Sequence, residues 1–306
     1  MFTLAHLSDP HLPTPSAHLG QLLNKRATGY YNWWRHRVHL HVPQALAVIV
    51  ADIKAQAPDH IALTGDLVNV ALPEEFRRAA AWLETFDRPD RLTVVPGNHD
   101  VYVPVPWNEG VGLWGAYIAS DGAPPAEGPE VFPILRRRGP VALIGLSTGV
   151  PKPPFLATGD LGAAQIARAE SLLAETAREG LCRIVLIHHP PLTDQSRWKS
   201  LTDAKAFQTM IRRVGCDAIL HGHNHRSETA RIAGPDGAVP VLGVTSASAA
   251  PGSKYGRARY HLIHVDRDRN GWRLELELRA LAADGRGCEP DGTLIFHSAR
   301  RAAVVS

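Results

Sequence analysis

Histidine set beside carboxylate and asparagine gives this chain its chemical signal. There are 16 histidines in 306 residues. Five short polar clusters each follow an apolar run: Ser8-Asp9-Pro10-His11, Gly65-Asp66, Gly97-Asn98-His99-Asp100, His188-His189-Pro190-Pro191 and His221-Gly222-His223-Asn224-His225. Imidazole, carboxylate and amide oxygen are the donors that borderline divalent or trivalent metals such as Zn, Mn and Fe accept. No thiolate takes part, which argues against a structural zinc knot. In Asp9-x-His11, strand alternation would put both side chains on one side, converging on one ion. His223-x-His225 repeats that spacing, and its second histidine could also reach a neighbouring ion. The glycines let the backbone turn tightly beside the ligands. Two ions about 3.5–4 Å apart need a bridging ligand, and a carboxylate with two oxygens serves. Asp66 is the natural candidate, because its strand should lie beside the strand that carries Asp9. A Gly-Asp pair alone is a common turn, and Asp-x-His alone is a weak signal. The order and strand-end placement of all five clusters carry the metal reading.

The elements that must position these clusters are short and apolar. Phe2–Leu7, Ile61–Thr64, Leu92–Val95, Val141–Leu146, Ile184–Ile187 and Ala218–Leu220 read as buried strands. Pro43–Ala55, Glu74–Phe86, Ala163–Arg178 and Ala204–Val214 have helical periodicity, with Pro43 and Pro73 where helices start. This alternation predicts an α/β architecture whose parallel strands bring the five clusters to one sheet edge. Arg231–Val244 and Tyr260–Leu281 read as further strands joined by turns such as Gly234-Pro235-Asp236-Gly237, which suggests a second sheet packed on the first. The domain is expected to span 1–283, with insertions at about 12–42 and 101–129 and a Gly-, Pro- and Arg-rich tail at 284–306. Asn69 reads as a helix or turn residue. His6, His36, His39, His41, His60, His221, His261 and His264 read as structural or exposed, with His221 a candidate support for the site.

Composition narrows the partners. Lys and Arg number 33 against 30 Asp and Glu, a net charge of +3, which offers no dense basic face for duplex nucleic acid. Three separated cysteines, Cys182, Cys216 and Cys288, form no CxxC pair and suit a reduced, cytoplasmic setting. The N-terminus reads as a strand rather than a signal peptide. No stretch approaches the ~20 apolar residues that span a bilayer.

Taken in order, Asp-x-His, Gly-Asp, Gly-Asn-His-Asp, His-x-Pro and Gly-His-x-His resemble the motifs of the calcineurin-like metallophosphoesterases, most closely those of bacterial cyclic-nucleotide and glycerophosphodiester phosphodiesterases. The resemblance runs from Asp9 to His225. It implies a four-layer αββα sandwich, two mixed β-sheets flanked by helices, with two metal ions (Mn, Fe or Zn) at the sheet edges. It implies that Asp9, His11 and His225 hold the first ion, that Asn98, His188 and His223 hold the second, and that Asp66 bridges them. His99 would sit above the metals as proton donor or charge stabiliser, oriented by Asp100. His189 would be a supporting or substrate-contacting residue, with Asn98 and His99 also touching substrate. The reaction implied is hydrolysis of a phosphodiester, in which a metal-bridging hydroxide attacks in line and His99 assists the leaving alkoxide.

The substrate is less legible. In the first insertion Lys25, Arg26, Tyr30, Tyr31, Trp33, Trp34, Arg35 and Arg37 combine cations with aromatic faces. They could hold a second phosphate, a nucleobase or an acyl chain, touch a lipid surface through 24–37, or pack into the core. A small phosphoester, nucleotide- or lipid-linked, is the expected partner. A homodimer is left open. Related enzymes that cleave nucleotide-linked lipid precursors usually carry arginine where this chain keeps His99, which weakens that reading. The alternatives are a phosphomonoesterase or a pyrophosphatase acting on such a precursor, a nuclease, and a non-catalytic metal-binding scaffold. A degenerate scaffold would be expected to lack ligands, and here none is missing.

Overall fold

Two six-stranded mixed sheets carry the five clusters, and the ends of their parallel strands meet. The first sheet runs β12 (Cys288–Ala299), β11 (Gly271–Leu281), β10 (Arg259–Arg267), β1 (Phe2–Leu7), β2 (His60–Leu63), β3 (Leu92–Val94). The second runs β4 (Ile134–Arg138), β5 (Val141–Gly145), β6 (Cys182–Leu186), β7 (Ala218–His221), β9 (Ala238–Gly243), β8 (Glu228–Ala233). The structure is a computed structural model that describes residues 1–15, 20, 25–32, 40–124, 127–253, 256–269 and 271–299.

The sheets face each other. Along β5, Val141 and Leu143 join the core shared with the first sheet, whereas Ala142 and Ile144 face the opposite way. Along β6, Ile184 and Leu186 separate from Val185 and Ile187 in the same manner. Strands covered on both faces read as continuous apolar runs, which is why they were legible. The outer face of the second sheet is covered by α4 (Ala163–Arg178) and α5 (Ala204–Val214); α5 buries Phe207, Met210 and Ile211 there. Burying each such side chain stabilises the fold by ~1.5–3 kcal/mol. The first sheet's outer layer holds α2 (Pro43–Gln56) and α3 (Pro73–Phe86), each with proline in its first turn. This is the four-layer α/β sandwich expected. Among the described residues no helix is long and apolar enough to cross a membrane.

Two expectations need correction. The five clusters do not share one sheet: three follow the parallel strands β1, β2 and β3, and two follow β6 and β7 of the other sheet. The edges are tied together by the bridge between Ser8 and Ser246 and by the Ser8 carbonyl, which accepts the Ala247 N–H at 2.9 Å. Residues 288–299 are not a separate tail, because β12 pairs along β11 with Leu276 opposite Leu294. Its period is hidden by Pro290 and Gly292 near a bulge. Strand β4 was also missed. Its run of three arginines looks solvated, yet Arg136 is buried and donates to the carbonyls of Ala119 (2.8 Å) and Leu92 (3.1 Å). A guanidinium satisfied by carbonyls can occupy an interior position that its residue type disguises.

The first insertion contributes α1 (Lys25–Asn32). Arg26 pins it by donating to the Ala71 carbonyl at 2.7 Å and to Val70 at 3.3 Å, just beyond β2. Tyr31 is exposed. Trp33, Trp34, Arg35 and Arg37, with His36 and His39, lie outside the described residues. In the second insertion Trp114 is buried beside Phe76, so it serves the core.

Candidate metal centre

β1 stops at Leu7 and β7 at His221, so the Asp-x-His and His-x-His pairs do not sit on extended strand. The expected strand alternation is replaced by left-handed backbone, with φ of 53° at Asp9, 40° at His11, 57° at Asp66, 67° at His223 and 52° at His225. Such residues cost ~1–3 kcal/mol each and persist where surrounding contacts fix them. Here the strain folds each loop back so that alternate side chains turn toward one point. Glycines make room for it. A Cβ on Gly222 would stand 2.3 Å from Asp9 Oδ2, and one on Gly97 would stand 2.2 Å from Asp66 Oδ1.

The structure brings Asp9, His11, Asp66 and His225 together, with one ligand atom of each within 4.8 Å of the others. His225 Nε2 lies 3.1 Å from Asp9 Oδ1 and 3.3 Å from His11 Nε2. On the other side of Asp66, its Oδ2 is 3.3 Å from His188 Nε2, which lies 3.2 Å from Asn98 Oδ1. His223 closes this side, its ring centroid 5.2 Å from that of His188. Asp66 Oδ2 faces both groups, being also 3.8 Å from His11 Nε2. Its Oδ1 accepts the His99 N–H at 2.8 Å. Oδ2 is thus the Asp66 oxygen that faces both groups, while Oδ1 is engaged by backbone.

Whether these residues suit cations can be tested on their hydrogen bonds. The carbonyl of Val68 faces His11 Nδ1 (3.3 Å), that of Thr64 faces His188 Nδ1 (2.7 Å), and that of Lys199 faces His223 Nε2 (3.0 Å). A carbonyl only accepts, so each ring carries its proton there and turns its other nitrogen inward, the arrangement that orients metal-binding histidines. The result is lone pairs and carboxylate oxygens gathered in a buried space. Asp9 Oδ1 is fully buried without a hydrogen bond, since the short approach of His225 lacks hydrogen-bond geometry. Burial would lower the pKa of His188, but the charge of Asp66 and its hydrogen bond raise it to about 9. Burial instead holds His11 and His223 well below the usual imidazole range, so they keep lone pairs, and the donor set fits two metal ions.

His99 stands at the cavity side of this cluster. Its Nδ1 donates to the Asn69 carbonyl at 2.5 Å, and its ring lies parallel to Tyr102 at 5.6 Å. Asn69, expected as a helix or turn residue, lies in a bend and bonds the Leu12 carbonyl through its side chain. A cavity of about 200 Å³ opens beside Asn98 and His99, lined also by Lys25, Tyr102, Lys152 and Lys199.

Two expected roles are corrected. Asp100 does not orient His99. Its carboxylate accepts the backbone N–H groups of Asp66 (2.7 Å), Leu67 (2.8 Å), Val68 (3.0 Å) and Gly97 (2.8 Å), and so fixes the turn that carries Asp66. Asp100→Ala would orphan these buried donors. At ~1–3 kcal/mol for each unsatisfied group, we expect a loss of at least ~3 kcal/mol in denaturant unfolding of the metal-free protein; a change under ~1 kcal/mol would refute this role. His189 does not face substrate either. It is fully buried, with Nδ1 2.6 Å from Thr148 Oγ1 and Nε2 3.0 Å from the Ala157 carbonyl. Burial, with His188 beside it, lowers its pKa to about 3 and keeps it neutral. It supports the neighbouring ring of His223, 4.2 Å away.

Of the histidines set aside as structural, His6, His60 and His261 are buried among the first sheet's strands. His221 is buried, its Nδ1 3.0 Å from the Gly222 carbonyl. His41 lies nearer the cluster than these: its ring is 4.4 Å from that of His11 and 5.5 Å from that of His225. No local pattern marks it, because it reaches the site from the end of an insertion.

Loops at the ends of two stacked sheets, a shared carboxylate and an inward ring of imidazoles define a metal-dependent phosphoesterase. The family model of the calcineurin-like phosphoesterases matches residues 2–227, and the chain belongs to that family. It is similar to a cAMP/cGMP dual specificity phosphodiesterase of Mycobacterium tuberculosis (strain CDC 1551 / Oshkosh), 27% identical over 224 residues, 68% of this chain and 63% of that protein. The chain thus matches less than two thirds of that relative's length. In fold it resembles a dimetal phosphatase from Danio rerio, with TM-score 0.61 and 10% identity over 94% of this chain and 98% of the other. It also resembles the purple acid phosphatase PPD1 from yellow lupin seeds, with TM-score 0.59 and 14% identity over 96% of this chain and 53% of that one.

Proposed function

We propose that the chain hydrolyses phosphodiester bonds of small molecules, with Asp9, His11 and His225 holding one metal ion, Asn98, His188 and His223 a second, and Asp66 bridging them. The observation that carries this reading is Asp66 Oδ2, which faces His11 on one side and His188 on the other. Two cations held there would neutralise phosphoryl oxygens and acidify a water. The chain's own residues do the rest. Asp100 fixes the turn at Asp66, and the backbone carbonyls of Val68, Thr64 and Lys199 set the histidine tautomers. His99, its Nδ1–H held by the Asn69 carbonyl, would as the imidazolium give its Nε2 proton to the leaving oxygen in the adjacent cavity and be left neutral. Proton donation matters most for an alkoxide, a poor leaving group, and that favours a diester. The phosphodiesterase relative, similar over 68% of this chain, supports the same choice.

A second reading, cleavage of a pyrophosphate linkage, draws on Lys25, Lys152 and Lys199 around that cavity, which suit a second anionic group. Metal-reconstituted protein assayed on bis-p-nitrophenyl phosphate, p-nitrophenyl phosphate, cyclic nucleotides, glycerophosphodiesters and a nucleotide-linked pyrophosphate separates these readings. We expect higher kcat/KM on diesters than on the monoester. Preference for the monoester overturns the diesterase proposal, and preference for the pyrophosphate establishes the second reading.

A further inference from the structure

We propose that His41 is an additional ligand of the first ion, so that this site offers three imidazoles rather than two. The inference rests on the dinuclear reading above and adds a residue that the motifs do not contain. Its first support is distance. One ring nitrogen each of His11, His41 and His225 lie within 4.8 Å of one another, the same span that encloses Asp9, His11, Asp66 and His225.

The second support is the way His41 is held. Its Nδ1 lies 2.9 Å from Ser248 Oγ and 3.2 Å from Ser246 Oγ. Ser246 Oγ in turn donates to the Asp9 carbonyl at 2.7 Å, so one hydroxyl links His41 to a ligand loop. With Nδ1 held by these hydroxyls, Nε2 would be the nitrogen offered to the ion, just as His11 keeps its Nδ1 on a carbonyl. The backbone is fastened as well. His41 bridges to Ala249, the Val42 N–H donates to the Ser248 carbonyl at 2.8 Å, and the Ala250 N–H donates to that of Leu40 at 2.8 Å. The end of the first insertion is thus strapped to the loop that follows β9, with His41 at the strap's inner side.

Chemistry gives the third support. The buried carboxylates of Asp9 and Asp66 lie among these three imidazoles, a mixed donor set that suits a cation. A third nitrogen donor moves the first site away from Mg and Ca and toward Zn or Fe. It also makes the two sites unequal, with three imidazoles on the first against two on the second.

The test reads metal rather than turnover. Unmodified protein, His41→Ala and Ser248→Ala are loaded with Zn(II) alone, and both site affinities are measured by chelator competition, with bound metal counted by elemental analysis. X-ray absorption at the metal edge counts imidazole neighbours. We expect His41→Ala to weaken one of the two sites about 10- to 100-fold or more while sparing the other, with a smaller shift in the same direction for Ser248→Ala. The imidazole count per ion should fall in His41→Ala. Unchanged affinities and imidazole count in both variants would overturn the inference and leave the dinuclear reading intact. Fewer than two ions on the unmodified protein would overturn both. Matching unfolding curves in excess chelator show that the substitutions act on metal rather than on the fold.

Discussion

Asp66→Asn should leave a folded protein that retains less than one metal ion per chain and has lost at least about three orders of magnitude in kcat/KM. Its Oδ2 is the charged atom common to both sides of the site, 3.3 Å from His188 Nε2 and 3.8 Å from His11 Nε2. The amide matches the carboxylate in size and can still accept the His99 N–H, so the change falls on charge rather than on packing. Metal stabilisation of a phosphoryl transition state is worth several kcal/mol, and each ~1.4 kcal/mol is tenfold in rate. Elemental analysis and initial rates on bis-p-nitrophenyl phosphate check both parts. An Asp66→Asn protein that keeps two ions would show that Asp66 is not the bridge.

The second large effect is expected at His99. In His99→Ala both ions should remain, while kcat on an unactivated alkyl diester falls about 10²- to 10⁴-fold, the range for removal of a general acid. The loss should be much smaller on a p-nitrophenyl ester, whose leaving group needs little protonation. The geometry behind this is specific. The ring is held by the Asn69 carbonyl, lies parallel to Tyr102 and borders the cavity, its centroid 5.2 Å from that of His11. Equal losses on both esters, or a parallel loss of metal, would reassign His99 to positioning the site.

Much of this arrangement was legible in the sequence because it is local. Strands buried on both faces announce themselves as apolar runs, and Phe2–Leu7 and Ala163–Arg178 have the bounds expected of them. The ligand candidates were legible because histidine clustered at strand ends has few other uses. What was not legible depends on contacts between distant segments. Asp9 and His11 converge through left-handed backbone rather than strand alternation, a distinction that residue type does not encode. Asp100 sits next to His99, so proximity in sequence suggested an orienting partner, whereas its carboxylate turns to a loop more than thirty residues earlier. His41 lies about thirty residues beyond His11 with no spacing to mark it, and pairing with the loop after β9 brings it in. Arg136 shows the converse, a charge that reads as surface but is satisfied inside.

The most direct test of the account is anomalous diffraction from crystals of the metal-loaded protein, collected at the absorption edge of the bound metal. Two peaks about 3.5–4 Å apart, with the carboxylate of Asp66 between them and His11 and His188 on opposite ions, are the predicted result. A single peak, or a pair in which Asp66 touches neither ion, would contradict it.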